Sequence, residues 1–205
     1  MVKKALTHCS HLSGNKLDHL RSIFVSTYGI LFLGTPHNGS DMAKLGSRIQ
    51  SLSRAVIPKI LLDSSGQLLN VLKPDNEVLQ TVNRDFANIM KRFNIYFFHE
   101  TEPMDIKGSR ILIVDETSAA PILDGVERLG IEADHGAMCR FKDQNAPGYM
   151  AVKEAIFRYS SEALKEIPLR WREERDQQIF QLKLEKQRLD GKQCSWTLRV
   201  LQHIH

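Results

Sequence analysis

The stretch GILFLGTPHNGSD, residues 29–41, decides the fold class because it joins a buried strand to a loop that carries a titratable ring. Residues 30–33 are apolar without alternation, which predicts a strand covered on both faces. The loop that follows holds one imidazole, His37, whose ordinary role would be a hydrogen bond within its own turn. Ser40 can cap a helix that begins directly after it. Such a strand and loop are typical of the ligand-binding edge of an α/β sheet.

Three further apolar runs extend this pattern, at residues 95–98, 111–114 and 129–133. Each of these runs leads directly into ionisable residues: His99 and Glu100, Asp115 and Glu116, and Asp134 and His135. Apolar residues at three- and four-residue spacing predict helices over residues 41–57, 76–93 and 148–166. Strands that alternate with helices predict an α/β domain with a mostly parallel sheet and flanking helices.

The composition excludes several classes of protein. The chain has 205 residues and a net charge of +4, with no basic run interleaved with aromatics, so a nucleic-acid partner is not expected. Its three cysteines are widely spaced, which favours a reducing, intracellular compartment over a disulfide framework. No apolar stretch approaches the roughly 20 residues of a membrane span. His8 and His11 have no further ligands at matching spacing, so no metal site is predicted.

Asp115 and His135 form the most informative pair of ionisable residues. A carboxylate after one strand and a histidine after a later one match the acid and base of a hydrolase triad in chain order. The imidazole would take the proton of a nucleophile, and the carboxylate would fix the imidazole tautomer. His99 and Glu100 are interpreted as ordinary polar residues at a strand end.

Two segments resemble a known family. They are GTPHNGS, residues 34–40, and IEADHGAMCRF, residues 131–141. Together they resemble the intracellular serine esterase/lipase-like branch of the α/β-hydrolase superfamily. Within this branch they are similar to the serine-active-site-containing proteins and to the hydrolase-like modules of fungal multidomain NTPase proteins. The resemblance covers about residues 1–165. It implies that His135 is the catalytic histidine and that ILIVDETSA, residues 111–119, holds the acid. Asp115 is favoured, and the adjacent Glu116 is the alternative.

The resemblance also implies a missing element. In the family a nucleophile elbow of the form G-H-S-x-G-G precedes a helix that begins much as this chain does, with MVKKAL. No G-x-S-x-G occurs in the 205 residues. The chain is therefore expected to be the C-terminal half of an α/β-hydrolase domain and to be inactive as given. The expected division is a partial hydrolase domain over residues 1–166, with a helical cap at about 41–93, and a charged helical tail over 167–205.

Two functions from different classes follow. The first is a serine esterase or lipase-like hydrolase, which in full-length form cleaves ester or acyl bonds of lipid or small-molecule substrates without a metal or organic cofactor. The second is a non-catalytic module derived from a hydrolase, which regulates NTPase or repeat domains of the same protein. The resemblance implies an intracellular location, in the cytoplasm or at mitochondria or the endoplasmic reticulum, where association with a membrane would need no transmembrane segment.

Overall fold

The computed structural model describes residues 1–12, 18–37, 77–106 and 108–201. The elements in these ranges are α1 (Val2–His11), α2 (Asp18–Ser26), β1 (Gly29–Leu33), α3 (Glu77–Ala87), a 3₁₀ turn (Met90–Arg92), β2 (Asn94–Glu100), β3 (Met104–Ile106), β4 (Ser109–Ile111), α4 (Glu116–Ala119), β5 (Val126–Ile131) and α5 (Pro147–Leu201). Helices and strands alternate along much of the chain, as the sequence predicts.

The described strands form a parallel sheet of three and a separate short hairpin. The sheet has the order β1-β2-β5, and the hairpin pairs β3 with β4 in antiparallel fashion. Gly29 of β1 is opposite Asn94 of β2, and Ile95 of β2 is opposite Val126 of β5. The predicted partial α/β fold, with a parallel sheet, flanking helices and a long C-terminal helix, is confirmed.

Both faces of the sheet are covered, which explains the unbroken apolar runs. On one face, Ile30, Phe32, Ile95 and Phe97 pack with residues of α1, α2 and α3. On the other face, alternate residues of the same strands pack against the first turns of α5. These residues are Leu31, Leu33, Tyr96 and Phe98. A strand covered on two faces has no position for a solvated side chain, so its sequence does not alternate.

The strand predicted over residues 111–114 is wrong. Only Ile111 belongs to a strand, and this strand is β4 of the hairpin rather than a member of the parallel sheet. Ile113 and Val114 are nevertheless buried, at 1% and 3% exposure. The Val114 N–H donates to a side-chain carboxylate, that of Glu100, rather than to a neighbouring strand. The run is apolar because it is a buried connection, and an apolar pattern alone does not separate such a connection from a strand.

The C-terminal helix α5 is longer than the helix predicted over residues 148–166. It continues past Pro168 to Leu201 and so crosses the predicted domain boundary without a break. Trp171 contacts the core, and its indole N–H donates to Ser26. The division at 166/167 stays a prediction.

Most of the predicted cap, residues 41–76, lies outside the described residues. In the described ranges, no helix combines the length and the apolar character that a membrane crossing requires.

Candidate active site

Glu100 is a buried carboxylate at the carboxyl end of the central strand β2. Its side chain has 0% exposure. One oxygen, Oε1, accepts the backbone N–H of Val114 at 2.8 Å. A carboxylate in such an environment requires hydrogen bonds to both oxygens, because desolvation without partners is costly. The second oxygen, Oε2, is directed to the loop that follows β5.

That loop holds His135 in a tight turn. The side chain of Asp134 accepts the backbone N–H groups of Gly136 and Ala137, each at 2.9 Å. The backbone oxygen of Asp134 accepts the N–H of Met138 at 2.9 Å, and the Met138 side chain is buried at 1% exposure. The turn is thus fixed by the hydrogen bonds to Asp134 before the imidazole and by the buried side chain of Met138 after it.

The imidazole Nδ1 of His135 lies 3.0 Å from Oε2 of Glu100. Both atoms are buried, and the contact between them is one of distance, because neither atom makes a hydrogen bond of ordinary geometry in the described part of the chain. The His135 side chain as a whole is 33% exposed. A proton on Nδ1 would face the carboxylate, and Nε2 would then be the acceptor of the ring. A buried carboxylate beside a partly exposed imidazole is the arrangement that the acid and base of a catalytic triad require.

The loop after β1 closes against the same pair. Gly34 has φ +58°, and its N–H donates to the backbone oxygen of Phe98 at 2.9 Å. A Cβ at this position would lie 3.0 Å from Cε1 of His135 and 2.6 Å from Sδ of Met138. Glycine is therefore required both by the left-handed backbone and by the approach of the imidazole. The loop at residues 34–37 begins at the carboxyl edge of the sheet, as predicted.

Asp115, the predicted acid, has a different position in the structure. It is the N-cap of α4, and its Oδ1 accepts the N–H of Ser118 at 3.1 Å and the hydroxyl of Thr117 at 2.7 Å. The alternative, Glu116, pairs with Arg128 at 2.9 Å. Of these three carboxylates, Glu100 is the one that the structure brings to His135. A catalytic role for Asp115 or Glu116 stays a prediction.

Sequence reasoning missed Glu100 although a signal was present. Glu100 and His99 follow the same apolar run, so a strand-end carboxylate preceded His135 in the chain order of a hydrolase. The preference for Asp115 rests on the prediction of a strand over residues 111–114. Since that segment is a buried connection, its end is not a strand end, and the argument for Asp115 loses its geometric basis.

His37 follows Gly34 in the loop after β1, and its ring lies in an aromatic environment. Its ring centroid is 4.7 Å from those of Phe32 and Phe97. The backbone N–H donates to Ser118 at 2.8 Å, but Nε2 is buried and has no partner in the described residues. The expected side-chain hydrogen bond within the turn is therefore not made by Nε2. Burial and, to a smaller extent, the Lys3 ammonium lower the pKa of His37 from 6.5 to about 3.

The low pKa of His37 leads to a prediction for the stability of the folded chain in acid. The unfolded chain protonates His37 below its ordinary pKa of 6.5, whereas the folded chain resists protonation down to about 3. The folded state therefore loses up to about 1.4 kcal/mol per pH unit as the pH falls through this window. In His37→Phe, the loss of unfolding free energy between about pH 7 and pH 5 should be smaller by about 2 kcal/mol. The measurement is urea unfolding at both pH values.

His19→Phe is the matched control, since His19 is an exposed histidine on α2. This variant should keep the pH dependence of the original chain. The same acid sensitivity in His37→Phe as in the original chain would contradict the assignment of the buried neutral ring.

Comparison with known proteins gives a set of distant relatives. No family model and no solved structure matches the chain. Protein SERAC1 of Mus musculus is 27% identical over 158 residues, which are 76% of this chain and 22% of the relative. Protein SERAC1 of Danio rerio is 29% identical over 142 residues, which are 68% of this chain and 19% of the relative. The chain thus spans about a fifth of the length of these relatives.

Proposed function

We propose that this chain carries the acid and the base of an esterase- or lipase-like serine hydrolase, with Glu100 as the acid and His135 as the base. The observation that carries the proposal is the 3.0 Å contact between the buried carboxylate and the imidazole Nδ1 at the carboxyl edge of a parallel sheet. Ligands bind at this edge in α/β sheets. The chain order, acid before base, is also that of an α/β-hydrolase.

The chemistry follows from the orientation of the imidazole. With its Nδ1–H held by Glu100, His135 can accept the proton of a serine hydroxyl at Nε2 as the hydroxyl attacks an ester carbonyl. Glu100 then stabilises the imidazolium that forms, because its charge lies beside Nδ1. The proton is returned from Nε2 to the leaving alcohol, and water, deprotonated by the same Nε2, then cleaves the acyl-serine bond to release the carboxylic acid and restore the serine. The reaction uses no metal or organic cofactor.

The 205 residues contain no G-x-S-x-G, so they hold no nucleophile elbow. The chain as given is therefore proposed to be inactive, and hydrolysis is proposed to require a segment with G-H-S-x-G-G ahead of α1. Esters or acyl lipids are the proposed substrates. Mitochondria or the endoplasmic reticulum, with association to a membrane surface, are the proposed location on the basis of the family resemblance.

The experiment compares the 205-residue chain with a chain extended by the in-frame codons upstream of Met1. Both are treated with a fluorophosphonate probe, which labels an activated serine, and with a short-chain aryl ester. We expect stoichiometric labelling and turnover in the extended chain only. Stoichiometric labelling of the 205-residue chain would contradict the proposal, because a serine within it would then be the nucleophile.

A second candidate function is a non-catalytic module that regulates attached NTPase or repeat domains. The nucleotide sequence upstream of the Met1 codon separates the two. An in-frame G-H-S-x-G-G supports the hydrolase. A stop codon or an altered elbow supports the non-catalytic module.

A further inference from the structure

The segment between Glu100 and Val114 leaves the proposed acid and returns to it. It begins at the end of β2, forms the hairpin β3–β4, and comes back as the buried connection that includes Val114. The Val114 N–H donates to Oε1 of Glu100 at 2.8 Å. The hairpin is therefore tied at its far end to the carboxylate from which it starts.

The first residues of this segment bind the backbone that leads into His135. The Thr101 N–H donates to the backbone oxygen of Ile131 at 3.1 Å. The Glu102 N–H donates to the backbone oxygen of Ala133 at 3.2 Å. These bonds continue the pairing of β2 with β5 beyond the ends of the two strands. The turn of the proposed base is thus held by the segment on the side that precedes the imidazole.

Met104 contacts the same turn on the side that follows the imidazole. It is the first residue of β3 and is half-buried. A Cβ at Gly136 would lie 3.0 Å from Cε of Met104. Since the backbone at Gly136 is not left-handed, no φ requires glycine there. Instead, the methyl group of Met104 occupies the space that a side chain at residue 136 would need.

We propose that Met104 is a positioning residue for the His135 imidazole and that it acts through this contact with Gly136. The segment that carries Met104 touches the carboxylate of Glu100 and the backbone on both sides of His135. Such contacts limit the movement of the base relative to the acid, which catalysis by the pair requires. A thioether suits this place because its flexible, apolar end adapts to an irregular gap. The role rests on the proposed function, in which His135 is the base.

The test is the exchange with water of the Nδ1 proton of His135, measured by NMR on the 205-residue chain. In the original chain this proton should exchange slowly, because Nδ1 is buried 3.0 Å from the Glu100 carboxylate. Met104→Ala leaves a gap beside Gly136 and should speed the exchange about tenfold. Met104→Leu keeps an apolar side chain of similar volume and should restore the slow exchange.

Met150→Ala is the matched control, because Met150 is 56% exposed on α5. This variant should leave the exchange of the imidazole proton unchanged. In Met104→Ala the backbone amides of β2 should exchange as they do in the original chain, which separates a local effect on His135 from a general loss of stability. Faster exchange throughout β2 as well would overturn the positioning role, because Met104 would then only stabilise the fold.

The variant Gly136→Ala tests the contact from the other side. The added methyl group would displace Cε of Met104, so it should shift the Met104 methyl resonance and speed the exchange of the imidazole proton. Unchanged exchange in Met104→Ala, or in Gly136→Ala if Met104→Ala does not fold, would overturn the role of Met104 and leave the proposed function standing. A His135 ring without a proton on Nδ1 in the original chain would overturn both.

Discussion

In an extended chain that carries the nucleophile elbow, His135→Ala should lower the kcat for a short-chain aryl ester by about 10⁶-fold, and Glu100→Gln by about 10⁴-fold. His135 is the proposed base, so its removal leaves the serine hydroxyl without a proton acceptor. Gln at residue 100 keeps the shape of the side chain but removes the charge that stabilises the imidazolium and selects the Nδ1–H tautomer. Steady-state kinetics of the purified variants give both ratios.

The matched control is Asp115→Asn. Asp115 caps α4 through Ser118, and an Asn side chain can make the same cap, so kcat should change by less than about threefold. A loss of kcat in Asp115→Asn as large as that in Glu100→Gln would contradict the proposed acid. It would support the prediction made from the sequence.

The second large effect is expected at Gly34, where the loop after β1 meets the imidazole. An added methyl group would lie 2.6 Å from the Met138 sulfur and 3.0 Å from the His135 ring. Gly34→Ala should lower the free energy of unfolding by about 3 kcal/mol, from the left-handed backbone and from overpacking together. Because His135 must move, kcat of the extended chain should also fall about 100-fold. Urea unfolding and ester hydrolysis measure the two effects.

The variant Gly125→Ala separates the stability cost of backbone strain from the cost of a steric contact. Gly125 also has a positive φ, +73°, but a Cβ there meets nothing within 4 Å. This variant should lose only about 1 kcal/mol of stability and keep its activity. If Gly34→Ala were no worse than Gly125→Ala in both measurements, the close approach between the loop and His135 would not constrain the site.

The parallel sheet could be predicted because its strands are covered on two faces. The runs at residues 30–33 and 95–98 carry this requirement directly in their composition, and the weaker run at 129–133, which contains Glu132, overlaps β5 at residues 129–131. The run at 111–114 is equally apolar, yet it is a buried connection. Local composition reports burial, but the partner of each backbone N–H depends on residues distant in the chain. For Val114, that partner is the carboxylate of Glu100.

The sequence likewise indicates single residues of the candidate site, but not which of them meet in space. His135 was identified from its motif and its place after a strand, and the structure gives it a carboxylate partner at the expected edge of the sheet. The choice among Glu100, Asp115 and Glu116 requires knowledge of which carboxylate faces the loop after β5. Neither spacing nor periodicity contains that information. Likewise, the sequence shows that His37 is in a turn, but not that its ring is buried between Phe32 and Phe97.

The most direct test of the central claim, that Glu100 orients His135, is the tautomer of the imidazole in the 205-residue chain. Long-range ¹H–¹⁵N NMR correlation distinguishes a protonated Nδ1 from a protonated Nε2 in a neutral histidine ring. We predict that His135 carries its proton on Nδ1, that Glu100→Gln changes this state, and that Asp115→Asn does not. An Nε2–H tautomer in the original chain, or a tautomer that responds to Asp115→Asn and not to Glu100→Gln, would contradict the account.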